Sequence, residues 1–175
     1  AQQTNRSQDR NSLNGKILRV KDDGTIPADN PFGSAVYSWG HRNVQGIAWD
    51  ENGRLWATEH GRSGIQSGFD ELNFIEKGKN YGWPIIEGDK EQSRMVAPVI
   101  QSGADETWAP SGASYYKGSI FFAGLRGETL YEAKLDGTKV SSLVKHLQNE
   151  DGFDEKHNFS KNIFLYLVQS KTTKS

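Results

Sequence analysis

Short strands closed by glycine turns constrain this chain more than any other feature of its sequence. Gly46 to Asp50, Asn52-Gly53 and Leu55 to Thr58 read as strand, two-residue turn, strand. The unit returns as Ala113 to Tyr116, Lys117-Gly118 and Ser119 to Ala123, and a further strand from Thr129 to Leu135 runs into Asp136-Gly137. Ahead of them, Gly15 to Val20 and Val36 to Trp39 carry apolar residues at strand spacing. Between those two, Asp23-Gly24 supplies a turn and Pro31, with no backbone donor, argues against a central strand. Only 34% of residues are hydrophobic, while Gly reaches 19 and aromatics 11%, a mixture that favours many short strands over packed long helices. The chain is therefore expected to be all-β. Repeated antiparallel units with aromatic residues and Gly turns fit propeller blades better than a sandwich.

Composition removes several function classes. With 21 basic against 22 acidic residues and no basic stripe, nucleic acid and anionic membrane surfaces are not expected partners. The absence of Cys rules out a disulfide framework, a thiolate metal site and a Cys nucleophile. The longest apolar run, Ile163 to Val168, falls far short of the ~20 residues a membrane-spanning helix needs.

The polar chemistry concentrates between Ser38 and Pro84, where Arg, Asn, His, Gln, Asp and Glu stand beside strand patterns. Loops held by a sheet are the usual seat of a binding site. The words GHRNVQGIAWDENGRLWATEHG, FDELNFIEKGKNYGWP, WAPSGASYYKG and FFAGLRGETLYEAKLDG resemble the soluble quinoprotein sugar dehydrogenases. That family, the glucose/sorbosone dehydrogenases, uses pyrroloquinoline quinone (PQQ) and calcium. Several long words occur in the family's order, and the similarity covers roughly Asn11 to Gln148 and then fails.

The resemblance implies a six-bladed β-propeller. A four-stranded blade takes ~40 to 50 residues, so 175 residues hold two to three blades, an open arc of the ring. The expected organisation is a polar lead-in over 1–12, a partial propeller over 13–148 and a divergent, poorly ordered tail over 149–175, with one short strand at Ile163 to Val168. Such an arc is expected to be a fragment with unpartnered strand edges.

The resemblance also assigns roles. The backbone carbonyls of Gly61 and Arg62 match the pair that holds calcium, a hard cation that favours oxygen ligands; Arg62 stands where the family commonly has proline. Without the flanking words, GRSGIQSG would read as an ordinary flexible turn. Arg42 and Asn43 match residues facing the quinone, Arg to stabilise charge developing on the quinone oxygen and Asn as a neutral donor. Taken alone, that pair would read as a surface Arg beside a self-capping Asn. Arg126 matches a basic residue that pairs with a PQQ carboxylate, for which a guanidinium fork is suited. His60 stands beside the calcium carbonyls as a supporting residue, and His41 is expected to pack and hydrogen-bond within its turn.

The family's general-base His lies upstream of the matched words, so no residue here inherits that role. Asp70 and Glu71, adjacent on a strand, point to opposite faces and are not expected to share a proton or an ion. Asp70 is expected to bond neighbouring loop backbone, Tyr81-Gly82-Trp83-Pro84 to pack the base of the loop, and Trp108 to lie nearer the substrate side. The expected function is cofactor support in an aldose-oxidising quinoprotein of the periplasm or secreted space, inactive as this chain alone. The alternative is a non-catalytic propeller module that binds a protein or glycan.

Overall fold

The computed structural model describes residues 3–64 and 67–148. The predicted tail over 149–175, with its strand at Ile163 to Val168, lies outside the described residues. Ten strands and two short 3-10 helices (Thr4–Gln8 and Pro31–Gly33) make up the regular structure, with no α-helix among the described residues. Strands β1 (Lys16–Leu18) and β2 (Val36–Trp39) form an antiparallel pair. A second sheet has β3 (Val44–Trp49), β4 (Leu55–Glu59), β5 (Glu71–Ile75) and β6 (Ile100–Gln101) side by side in chain order. A third does the same with β7 (Pro110–Tyr116), β8 (Ser119–Gly124), β9 (Thr129–Asp136) and β10 (Lys139–His146). Two sequential four-stranded antiparallel meanders packed face to face, with a two-stranded sheet beside them, are an arc of a β-propeller.

Packing explains the strand patterns. Every residue of β4 is buried, because this strand is covered on both faces. Trp56 points one way into a cluster with Leu72, Trp108, Ile120, Phe122 and Tyr131, which joins the second sheet to the third. Leu55 and Ala57 point the other way, against Ile17, Ile75 and Tyr81, which joins it to the first. The leading strands β3 and β7 approach so closely at Gly46 that a Cβ there would sit 2.4 Å from the Ala113 nitrogen. Only glycine fits that contact.

The structure departs from the sequence reading in three places. The Asn52-Gly53 connection is longer than a two-residue turn, because Asp50 closes it. The Asp50 N–H donates to the Arg54 carbonyl at 3.0 Å, and its buried carboxylate accepts from the Asn52 and Arg54 backbone and from Trp56 Nε1. Burial works to raise the Asp50 pKa, but these donors and Arg54 outweigh it and hold the group below the usual carboxylate range. The long segment between Glu59 and Pro110, in which the sequence shows no complete hairpin unit, supplies the interior strand β5 and the short edge β6. The polar lead-in is not simply exposed. Ser7 is buried and donates to the Trp83 carbonyl, and the Gln8 amide bonds Asn80 and the same carbonyl at 2.7 Å.

Candidate cofactor site

Strand β4 ends at Glu59, and the chain then turns through His60, Gly61 and Arg62 before returning at Gly68. Glycine is required at 61, because a Cβ there would lie 2.1 Å from the Gly68 carbonyl oxygen. Arg62 pairs with Gly68 across the turn as an antiparallel bridge, its N–H donating to the Gly68 carbonyl at 2.7 Å, while the Gly61 N–H is bonded to Asp70. No group of three or more His, Cys, Asp or Glu among the described residues is placed to hold a metal, so side-chain coordination of that kind is absent there. Backbone carbonyls at such a turn suit a hard cation, which takes backbone oxygen readily.

Asp70 fixes this turn from within. The fully buried carboxylate accepts from the Gly61 N–H at 2.9 Å through Oδ1. Through Oδ2 it accepts from the Thr107 hydroxyl and from the Trp108 and Ala109 N–H groups at 2.7 and 2.9 Å. One side chain thus ties the carbonyl turn to the entrance of β7, the structural role its strand position predicts. Glu71 points away from it, into a cavity it shares with Arg42, Gly61, Arg62, Trp83 and Glu87.

Arg42 is held at the mouth of that cavity. Its guanidinium donates to the His60 carbonyl at 3.2 Å and to Ser63 Oγ at 2.9 Å, and lies 5.4 Å from the Trp83 ring centre. Arg126, from the turn between β8 and β9, reaches the same loop and donates to Ser67 Oγ at 3.1 Å. Two arginines far apart in sequence therefore flank the loop that begins with Gly61 and Arg62. Asn43 stands beside Arg42 but is exposed, and its side-chain oxygen accepts from Gln45 at 2.9 Å. His60 turns away to donate from Nε2 to the Pro110 carbonyl at 2.8 Å.

Behind the GHRN turn lies a relay that sequence reasoning did not find. Ser38 Oγ is 2.8 Å from His41 Nε2, and His41 Nδ1 is 3.0 Å from Glu59 Oε2. A carboxylate only accepts, so His41 Nδ1 donates to Glu59, and its other nitrogen bonds the Ser38 hydroxyl. The order resembles a nucleophile, base and acid, yet Ser38 has no solvent exposure and His41 has 2%. No substrate reaches that hydroxyl. The relay instead anchors the turn, because Glu59 Oε1 accepts from the Arg42 and Asn43 N–H groups. Tyr81 stacks on His41 at 4.6 Å and donates to the Phe74 carbonyl, so the YGWP word does pack the base of the loop.

Glu59 and Glu71 face each other across β4 and β5. Burial, and then the nearby Glu59 charge, push the Glu71 pKa up to about 8. Asn73 bridges toward both carboxylates, and its own side-chain oxygen, buried, has no partner among the described residues. Trp108 does not lie on a substrate side. It is 2% exposed and tilts against Phe122 and Tyr131, because its backbone is pinned inward by Asp70.

Two four-stranded meanders and a two-stranded sheet, set side by side as an arc, define the class as a β-propeller. Residues 1–174 match the Glucose / Sorbosone dehydrogenase family, and the chain belongs to it. That match runs on past Gln148, correcting the expectation that the similarity fails there. The structure is similar to the PQQ-bound form of aldose sugar dehydrogenase from Streptomyces coelicolor, with TM-score 0.77 and 49% identity over 83% of this chain and 43% of that one. In sequence it is 44% identical over 110 residues to quinoprotein glucose dehydrogenase B of Acinetobacter calcoaceticus, covering 61% of this chain and 22% of the relative. It is 32% identical over 161 residues to aldose sugar dehydrogenase YliI of Escherichia coli, covering 77% and 42%. The chain thus spans well under half the length of these relatives.

Proposed function

We propose that this chain is the cofactor-supporting part of a quinoprotein that oxidises aldose sugars, with PQQ and calcium as its cofactors. The observation that carries the reading is the convergence of Arg42 and Arg126 on Ser63 and Ser67 of the one loop that begins with Gly61 and Arg62. Those carbonyls would hold calcium, while Arg42, Asn43 and Arg126 would hold PQQ. When bound, the quinone supplies a two-electron acceptor for the hydride of the sugar's anomeric carbon. Arg42 contributes fixed positive charge where negative charge grows, held in place by His60 and Ser63 and, through its N–H, by Glu59. Asp70 keeps the carbonyl turn from rotating, and Trp83 shields one side of the Arg42 guanidinium from water.

Proton removal from the sugar is not assigned to a residue of this site. Among the described residues His41 is sealed, His60 is engaged by Pro110, and His146 pairs with Glu132 on the outermost strand of the third sheet. The test has two arms. Adding PQQ with calcium raises Tm, and neither does so alone; a dye-reduction assay with aldoses shows no turnover. No shift with both present would remove the cofactor reading in favour of a binding module without redox chemistry, and turnover would show that a base is present.

A further inference from the structure

The cavity beside Gly61 contains an ion pair that none of the roles above uses. Arg62 Nε donates to Glu87 Oε2 at 2.7 Å and Arg62 Nη2 to Glu87 Oε1, a two-pronged contact between the carbonyl turn and the loop that follows Pro84. The Arg62 guanidinium also lies 5.0 Å from the centre of the Phe69 ring. Phe69 adopts φ 56, a backbone state unfavourable for a bulky residue. Its ring presses on Gly88, where a Cβ would sit 2.6 Å from Phe69 Cδ1. The Arg62 N–H donates to the Gly68 carbonyl at 2.7 Å. Arg62 is thus held by its backbone, by a ring face and by a carboxylate, although its side chain is 38% exposed. An exposed turn of Gly and Ser residues needs no such fixation unless the direction of its carbonyls matters.

We propose that Glu87 is a positioning residue for the Gly61–Arg62 carbonyl pair, acting through the Arg62 guanidinium to keep both oxygens ordered for a calcium ion. The inference rests on the cofactor reading and names a residue that reading does not require. Asp70 grips the turn at the Gly61 N–H, on the buried side. Glu87 grips it one residue later, from the cavity side. The Arg62 N–H bond to Gly68 holds the peptide between these two grips, and Glu87 adds a hold on the side chain of the residue that carries the second carbonyl.

The test is a calcium titration of the intact chain in saturating PQQ, read by the quinone absorbance, on Glu87→Gln, Arg62→Gln and the double variant. Each single variant is expected to weaken calcium binding about fivefold, as for a half-exposed bidentate pair. The double variant is expected to be no worse than either, since both remove one interaction. Lys90→Gln, which removes the exposed second partner of Glu87, is expected to change affinity less than about twofold. The Tm in EDTA is expected to stay at the wild-type value in all variants. Wild-type affinity in Glu87→Gln, losses that add in the double variant, or losses that track a fall of the EDTA Tm would each overturn the proposal. If the unsubstituted chain binds no calcium with PQQ, the parent reading fails and this inference with it, a result distinguishable from failure of Glu87 alone.

Discussion

The second and third sheets are built alike and spend their buried volume differently. Both are four-stranded meanders, and they share the Trp56–Trp108 interface. The interior of the third is filled by Ile120, Phe122, Tyr131 and Ala133, with Ser119 and Thr129 as its buried polar residues. Its carboxylates, Glu106 and Glu132, meet Lys145 and His146 at the partly exposed edge. The second sheet buries His41, Asp50, Glu59, Asp70 and Asn73 in or beside its shorter strands. Buried charge is costly unless it is fully bonded, and here each carboxylate is saturated by backbone donors of the turns it holds. The contrast separates a scaffold from a site within one repeated architecture.

The sharpest way to break this comparison is to disarm Asp70. Asp70→Asn puts an amide nitrogen, or a reoriented carbonyl, among donors that all require an acceptor. At least one buried N–H of Gly61, Trp108 or Ala109 is then left unpaired. The expected cost is about 3 kcal/mol, the scale for a buried charge-assisted network losing its acceptor, measured by urea unfolding. Amide exchange should accelerate first at Gly61, Trp108 and Ala109. A loss below about 1 kcal/mol would mean that buried charge in the second sheet is incidental, and that the two sheets do not differ in kind.

A smaller effect with a diagnostic sign comes from Glu71. Its pKa is raised in the folded state, so below the ordinary glutamate range of about 4.3 its protonated form is accommodated without penalty. As pH rises toward 8, the folded protein must either retain that proton or accept a second charge opposite Glu59. Stability contributed at low pH is therefore lost as pH climbs through the folded value. Glu71→Gln in calcium-free buffer is expected to raise Tm at pH 9 and to leave it nearly unchanged at pH 4. Equal shifts at both values would remove the repulsion between the two carboxylates from the account of the site.

The sheet-by-sheet contrast also explains what the sequence made legible. Strands β2 to β4 and β7 to β9 announce themselves by apolar spacing and glycine turns, because their patterns depend on neighbours within one hairpin. Strand β5 was read only as the strand under Asp70 and Glu71, without its place between β4 and β6, because ELNFI mixes polar residues of the site with its apolar ones. Strand β10 escaped because KVSSLVKH is the outermost strand and keeps only a weak alternation. The Arg42, Gly61 and Arg62 grouping was visible through the quoted words. The Ser38–His41–Glu59 relay was not, since it joins a turn to the end of a strand 18 residues away and only the β3–β4 register brings them together. Trp108 was misplaced for a related reason. A tryptophan near polar words resembles a sugar platform until the carboxylate that turns its backbone inward is located.

The weakest expected effect is the most useful control. In the third sheet, Glu132 accepts from His146 at 2.8 Å and from Ser119 Oγ at 2.9 Å, and these bonds, the histidine's first, hold its pKa below the usual glutamate range. A lowered value contributes stability that is present above the unfolded pKa and fades as pH falls through the folded one. The sign is thus opposite to that of Glu71. The histidine is 39% exposed, so solvent screens the pair and its worth stays under about 1 kcal/mol. Glu132→Gln should lower Tm by about 2 °C at pH 7 and by nothing measurable near pH 3, with calcium affinity in PQQ unchanged. Opposite pH signatures for two glutamates on successive meanders, one beside the Gly61–Arg62 turn and one not, would show that the distinction between the two sheets is written in how each solvates its charge. A Glu132 variant that altered calcium affinity would place the third sheet inside the site and erase that distinction.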